Sequence, residues 1–150
     1  MLHTMFDALI RRMTAPEPDP LTGDDARLAM AALLVRIARA DGEYARTEID
    51  RIDALLKTRY GLGPFEVAKL RGDAEVLEQE APDTVRFTRA IKEAVPYEER
   101  AEVVEALWEI ALADGDRDHE EDALMRLVAA MLGVNDRDSA HARQRAQKRQ

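Results

Sequence analysis

The sequence predicts an all-α fold, a compact bundle of about seven helices, from its composition and from the spacing of its apolar residues. Ala, Leu, Glu and Arg dominate the 150 residues, of which 46% are hydrophobic and only 5% aromatic, and this composition favours helices. No segment alternates between apolar and polar residues at period two, as a half-buried strand does. The length suits one domain with a core of its own.

Seven segments with a helical pattern follow the first twenty residues, and the last of them is polar. The first, residues 26–40, is apolar nearly all round, which is typical of a helix at the centre of a bundle. Further helices are predicted over 47–60, 64–81 with an interruption or kink near Gly72, 84–94, 97–114, 124–132 and from about 135 onward. Pro64 suits the first turn of its helix. Asn135 is predicted to cap the last helix, with Asp138 three residues on.

The first twenty residues are predicted to be a separate unit, an amphipathic helix with a Pro-rich linker, ahead of a helical domain over residues 21–150. One face of that helix is apolar and consists of Met5, Phe6, Leu9, Ile10 and Met13. Such a face can contact a membrane surface, a partner protein, its own domain or another subunit. The segment has no continuous apolar run like that of a signal peptide. No stretch approaches the roughly 18 to 20 apolar residues of a membrane span.

The charge is acidic and unevenly distributed. The formal net charge is −8, yet residues 137–150 carry a net +4, so the rest of the chain carries −12. An acidic body argues against nucleic acid as the partner. The basic end lacks aromatic residues, and we interpret it as a solvated, frayed helix end. The absence of cysteine excludes disulfides and thiolate metal sites and agrees with a cytoplasmic location.

One helix–loop–helix pattern occurs twice, as "IARADGEYARTE" (37–48) and "IALADGDRDHEE" (110–121). Each copy ends an apolar helix on Ala-Asp-Gly and has a glutamate seven residues after the aspartate. A two-copy repeat predicts a pseudo-twofold pairing of hairpins rather than a solenoid. The two Ala-Asp-Gly helices, the most apolar in the chain, are therefore expected to pack against each other at the centre.

Helical spacing places the acids of both copies at the rim of the core. Asp41 lies seven residues after Leu34, almost two turns, so it continues the apolar stripe of its helix. An aspartate at a helix C-terminus faces the negative end of the macrodipole, so backbone N–H groups, an arginine or a metal ion should compensate. Backbone N–H groups of the loop are one alternative, with each glutamate favouring the start of the next helix. The other is a divalent cation, either calcium, manganese or zinc, on oxygen ligands.

The candidate metal ligands are Asp41, Glu48, Asp114, Asp116, Asp118 and Glu121. The second loop is richer in acids and suits a cation better than the first. It is not an EF-hand, because His119 and Met125 stand where the loop requires Gly and Glu. No pattern indicates catalysis, since the only serine is Ser139 and no Gly-rich phosphate loop occurs. We therefore expect no enzyme.

The segments "ADGEYARTE" and "ADGDRDHEE", together with "RFTRAIKEAVPYEERAEVVEALWEIALADG", resemble the TerB-like domain family over about residues 24–140. The family includes tellurite-resistance TerB proteins and stand-alone bacterial members. The resemblance implies a pseudo-twofold, all-helical fold, a cytoplasmic location and an association with tellurite or general stress. It implies a metal site at the four repeated acids and no catalytic activity. The alternative function is a protein interaction module, with a partner protein or a second copy of the chain bound and the acids purely structural.

Overall fold

The computed structural model describes residues 23–40, 44–80, 84–112 and 119–149, with the side chains of 23–25 and 119–122 left aside. These residues form seven α-helices and no strand: α1 Gly23–Arg39, α2 Arg46–Tyr60, α3 Pro64–Glu80, α4 Val85–Ala94, α5 Tyr97–Ala111, α6 His119–Met131 and α7 Asp136–Lys148. The all-α prediction is confirmed. The interruption expected near Gly72 was wrong, because α3 continues through that residue as helix. The predicted unit over residues 1–20 lies outside the described residues.

The helix ends follow from local chemistry at each boundary. Gly61, after α2, has a φ of 64°, and its N–H donates to the Lys57 carbonyl at 2.8 Å. This left-handed conformation satisfies a terminal carbonyl and favours glycine. Pro64 opens α3, where its missing N–H leaves no bond unmade. The side chain of Asn135 accepts from the Asp138 N–H at 2.8 Å, so the predicted cap of α7 is confirmed.

Helix α1 lies at the centre of the bundle. Every residue from Ala29 to Val35 is at most 2% exposed, and the helix contacts α2, α3, α4, α5 and α6. Burial on all sides is what a helix without a polar face requires. None of the described helices combines the length and the apolar character that crossing a membrane requires.

The two helices that precede the Ala-Asp-Gly sequences, α1 and α5, pack against each other, as predicted. Leu34 and Leu107, which occupy matching positions in the two copies, are both completely buried. The two-copy pattern thus marks the two helices that share the core. The pseudo-twofold relation of the loops stays a prediction, because Asp41 and Asp114 lie outside the described residues.

Candidate functional site

Most of the predicted metal ligands fall outside the part of the chain that the structure describes. Asp41, Asp114, Asp116 and Asp118 are outside it, and so is the side chain of Glu121, whose backbone belongs to α6. Within the described ranges, no three His, Asp or Glu side chains cluster closely enough to hold a metal ion. The proposed cation site therefore stays a prediction, and Glu48 is the one candidate ligand whose surroundings are described.

Glu48 is buried at the start of α2, with 2% of its surface exposed. Its Oε1 accepts a hydrogen bond from the Ala45 N–H at 3.3 Å, in the geometry of a capping box. Ile52, one turn on, is also buried, so Glu48 heads an apolar face as predicted. A carboxylate in the first turn is favoured by the helix dipole as well. The structure thus supports the helix-start role that the sequence left open for this glutamate.

A polar network joins α1, α3 and Tyr44, which precedes α2, beside the first loop. Glu78 of α3 binds two arginines of α1, Arg36 at 3.1 Å and Arg39 at 3.2 Å. The Arg39 guanidinium also lies over the Tyr44 ring, 4.9 Å from its centroid. The Tyr44 hydroxyl is buried and has no hydrogen-bond partner in good geometry among the described residues. These contacts fix the residues on both sides of the first Ala-Asp-Gly sequence.

Because the Tyr44 hydroxyl is buried, the free energy of unfolding should fall at alkaline pH. Burial, and secondarily the nearby Glu75 carboxylate, raises the pKa of Tyr44 well above its ordinary value of 10.0. The folded state therefore favours the neutral phenol, so its contribution is complete below about pH 10 and declines as pH rises further. The expected decline is at most about 1.4 kcal/mol per pH unit.

Urea unfolding of Tyr44→Phe between pH 9 and pH 11 tests this expectation. The variant keeps the ring but lacks the ionisable hydroxyl, so its stability should fall less steeply than that of the wild type. Tyr97→Phe removes an exposed hydroxyl and serves as the control, with the slope of the wild type. Equal slopes in all three proteins would contradict the assignment.

A groove of about 790 Å³ lies between α1, α2, α5 and α7. Its apolar lining comes from α1, α2 and α5 and includes Met30 and Leu34 of α1, Leu55 and Leu56 of α2 and Ala106 of α5. Its charged lining comes mainly from α5 and α7 and consists of Glu98, Glu99, Glu102, Glu105, Glu109, Arg145 and Arg149, with Arg59 from α2. An apolar floor with a charged rim is the usual composition of a binding groove.

Two of the groove's carboxylates are buried. Glu105 and Glu109 are 8% and 4% exposed and stand four residues apart, on the same face of α5. Arg149 binds both, at 3.1 Å from Glu105 Oε2 and 2.8 Å from Glu109 Oε1, and Arg145 Nε donates to Glu105. Glu109, with Glu105, raises the pKa of Arg149. Burial of carboxylates requires such pairing, because removing a charge from water is otherwise costly.

The interpretation of the basic C-terminal stretch as a solvated, frayed helix end was wrong. Helix α7 packs extensively against α5, with Ala142 and Ala146 completely buried, and its arginines neutralise the buried glutamates. The sequence carries one signal of this arrangement. Two glutamates four residues apart interrupt the apolar stretch "VVEALWEIA", and two arginines with the same spacing occur at the end of the chain, Arg145 in α7 and Arg149 directly after it.

The remaining acids leave the groove with an excess of negative charge. Glu98, Glu99 and Glu102 are exposed, and only Glu102 has a basic neighbour that is described, Arg59 at 3.7 Å. Five glutamates and three arginines line the groove. The rim contributed by the start of α5 is therefore acidic, and it attracts cationic groups.

Comparison with known proteins identifies a family. The family model of TerB, described as "Tellurite resistance protein TerB", matches residues 27–144, which covers most of the chain and all seven described helices in whole or in part. No match was found among curated proteins or among solved structures.

Proposed function

The chain belongs to the TerB family of tellurite resistance proteins, and we propose that it acts in the cytoplasmic stress response as a non-catalytic domain that binds a partner protein in its acidic groove. The observation that carries the proposal is the groove itself, with its apolar floor and its excess of carboxylates. The proposal adopts the protein interaction module, the alternative function that the sequence left open, and gives it a binding surface.

The chemistry of the groove selects a cationic, amphipathic helix as the occupant. Apolar side chains at helical spacing on such a helix would pack on the partly buried Leu55, next to Met30 and Leu34, which line the groove from the core. Lysine or arginine side chains on its flanks would meet Glu98 and Glu102, which are exposed. Because the rim acids are exposed, they would contribute mainly to the rate of association and to specificity. Binding should therefore weaken as salt is added.

Two designed helical peptides test the groove. They share one apolar face, and the polar face carries lysine in one and glutamate in the other. Fluorescence anisotropy should show binding of the lysine peptide only. Glu98→Lys/Glu102→Lys should weaken that binding at least tenfold, about 1.4 kcal/mol, because charges facing the peptide are reversed. Glu80→Lys/Glu93→Lys changes two exposed acids that do not line the groove and should bind as the wild type does.

Equal binding of both peptides, or equal loss in both variants, would contradict the proposal. A truncated chain that lacks residues 1–20 tests whether the N-terminal segment of the chain itself occupies the groove. If it folds normally and binds the lysine peptide more tightly than the full chain, the apolar face of the N-terminal segment competes for the same groove.

Growth on tellurite tests whether the groove serves the family's function. Cells whose gene encodes the Glu98→Lys/Glu102→Lys variant should be as sensitive to tellurite as cells that lack the gene. Cells with Glu80→Lys/Glu93→Lys should grow like the wild type. Normal tolerance in the groove variant would show that this surface is not needed there.

A second candidate function is divalent-cation binding at the repeated loops, for which Glu48, buried beside the first loop with its Oε1 bonded to the Ala45 N–H, would be one ligand. We expect calcium, manganese or zinc, at about a hundredfold excess over Kd, to stabilise the fold by about 2.7 kcal/mol. Thermal melting with each cation measures this. Asp114→Asn should abolish the shift, and Asp50→Asn, which changes an exposed acid of α2, should keep it. No shift with any cation, or an unchanged shift in Asp114→Asn, would refute this candidate.

A further inference from the structure

A second pocket, of about 540 Å³, lies between α5, α6 and α7 and shares no lining residue with the groove. Trp108 of α5, Arg126 of α6 and Arg143 of α7 line it, together with Ser139 and Gln144. Every one of these side chains carries a hydrogen-bond donor. The pocket is thus rich in donors although the chain as a whole is acidic, with a net charge of −8.

Two donors at this pocket are buried without an acceptor. Trp108 is 5% exposed, and neither its indole Nε1 nor the Nε of Arg143 has a hydrogen-bond partner among the described residues. The Arg143 guanidinium lies over the indole, 5.0 Å from the ring centroid, so stacking holds the two groups together. Buried donors without acceptors are rare in folded proteins, since each loses its bond to water and gains none.

The arginines of this pocket also differ from their neighbours in α7. Arg145 and Arg149 are paired with buried glutamates, whereas Arg126 and Arg143 have no ion pair within the described part of the chain. Asp136 is the one acid among the described lining residues. It lies in the first turn of α7, where the positive end of the helix dipole favours a carboxylate.

We propose that this pocket binds a small molecule through an oxyanion group, a carboxylate or a phosphate. Guanidinium groups bind such anions through two parallel hydrogen bonds. Arg143 would supply these bonds from α7 through its terminal amino groups, and Arg126 would add a second cation from α6. The Trp108 indole, over which Arg143 lies, would hold that guanidinium in place. The volume exceeds that of a single ion, so the anion would be one end of a larger molecule. The proposal does not depend on the groove or on the loop acids.

The single tryptophan of the chain makes the test specific. Inorganic phosphate and succinate, each titrated at constant ionic strength, should shift the one indole N–H resonance in a ¹H–¹⁵N spectrum to saturation, because the anion binds the guanidinium that lies over the indole. Phosphate and succinate distinguish the two anion types by their relative affinity. Arg126→Gln and Arg143→Gln should each weaken binding about tenfold. Arg89→Gln, which changes an exposed arginine away from the pocket, should bind like the wild type.

Chloride provides the control for non-specific salt effects. The same indole shift with chloride, or no saturable shift with either oxyanion up to tens of millimolar, would overturn the proposal. So would an equal affinity in all three arginine variants. Arg126 is exposed on α6, so its variant is expected to fold even if Arg143→Gln does not, and it keeps the test decisive.

Discussion

Phe87→Ala should lower the free energy of unfolding by roughly 3–5 kcal/mol, the usual range for removing a buried aromatic side chain. Phe87 of α4 is completely buried, and the Arg36 guanidinium lies over its ring, 4.9 Å from the centroid. Truncation would leave a cavity beside α1. It would also remove the surface on which Arg36 rests while it binds Glu78.

Phe65→Ala is the matched control, because the same truncation is made where the ring is 79% exposed. Its effect should stay within about 0.5 kcal/mol. Urea denaturation of both variants measures the difference. A loss below about 1 kcal/mol in Phe87→Ala, or similar losses in the two variants, would contradict the described packing of α4 against α1.

Arg145→Ala/Arg149→Ala should lower the free energy of unfolding by about 3 kcal/mol, near the low end for breaking a buried ion pair. The two substitutions leave Glu105 and Glu109 buried without a cation. Both arginines are about half exposed, so water can partly replace them, and this keeps the expected loss at the low end.

Neutralising the glutamates in the same background shows whether their charge is the cause. Addition of Glu105→Gln/Glu109→Gln to the arginine double variant should recover part of the lost stability, because no uncompensated charge remains. Arg89→Ala, at an exposed site on α4, should change stability by less than about 0.5 kcal/mol. If the fourfold variant is less stable than the double variant, buried charge does not explain the loss.

The helices could be predicted because their limits depend on short-range chemistry. Gly61, Pro64 and Asn135 each determine a helix end through backbone groups within four residues, so a short stretch of sequence is enough to predict that end. The central place of α1 follows equally directly, because a helix without a polar face has to be covered on all sides. The interruption expected at Gly72 failed because a single glycine lowers helix stability without ending the helix.

The groove could not be predicted in the same way, because it depends on which faces of four helices meet. The sequence around Glu105 and Glu109 does not identify their partners. Arg145 and Arg149 lie forty residues later, and only the packing of α7 against α5 brings them into contact. Two glutamates within an apolar stretch indicate buried carboxylates that need cations. The composition of the basic stretch alone does not show that it supplies them. The loop acids remain predicted ligands, since Asp41 and Asp114 lie outside the described residues.

The central position of α1 has a consequence for synthesis of the chain on the ribosome. Its partners α3, α4 and α5 all follow it, and α5 ends at Ala111. At roughly 5–20 residues per second, several seconds pass between the emergence of α1 and that of α5. During that interval the apolar middle of α1, from Ala29 to Val35, has only part of its covering. The nascent chain is therefore most prone to aggregate, and most dependent on chaperones, before its second half has been made.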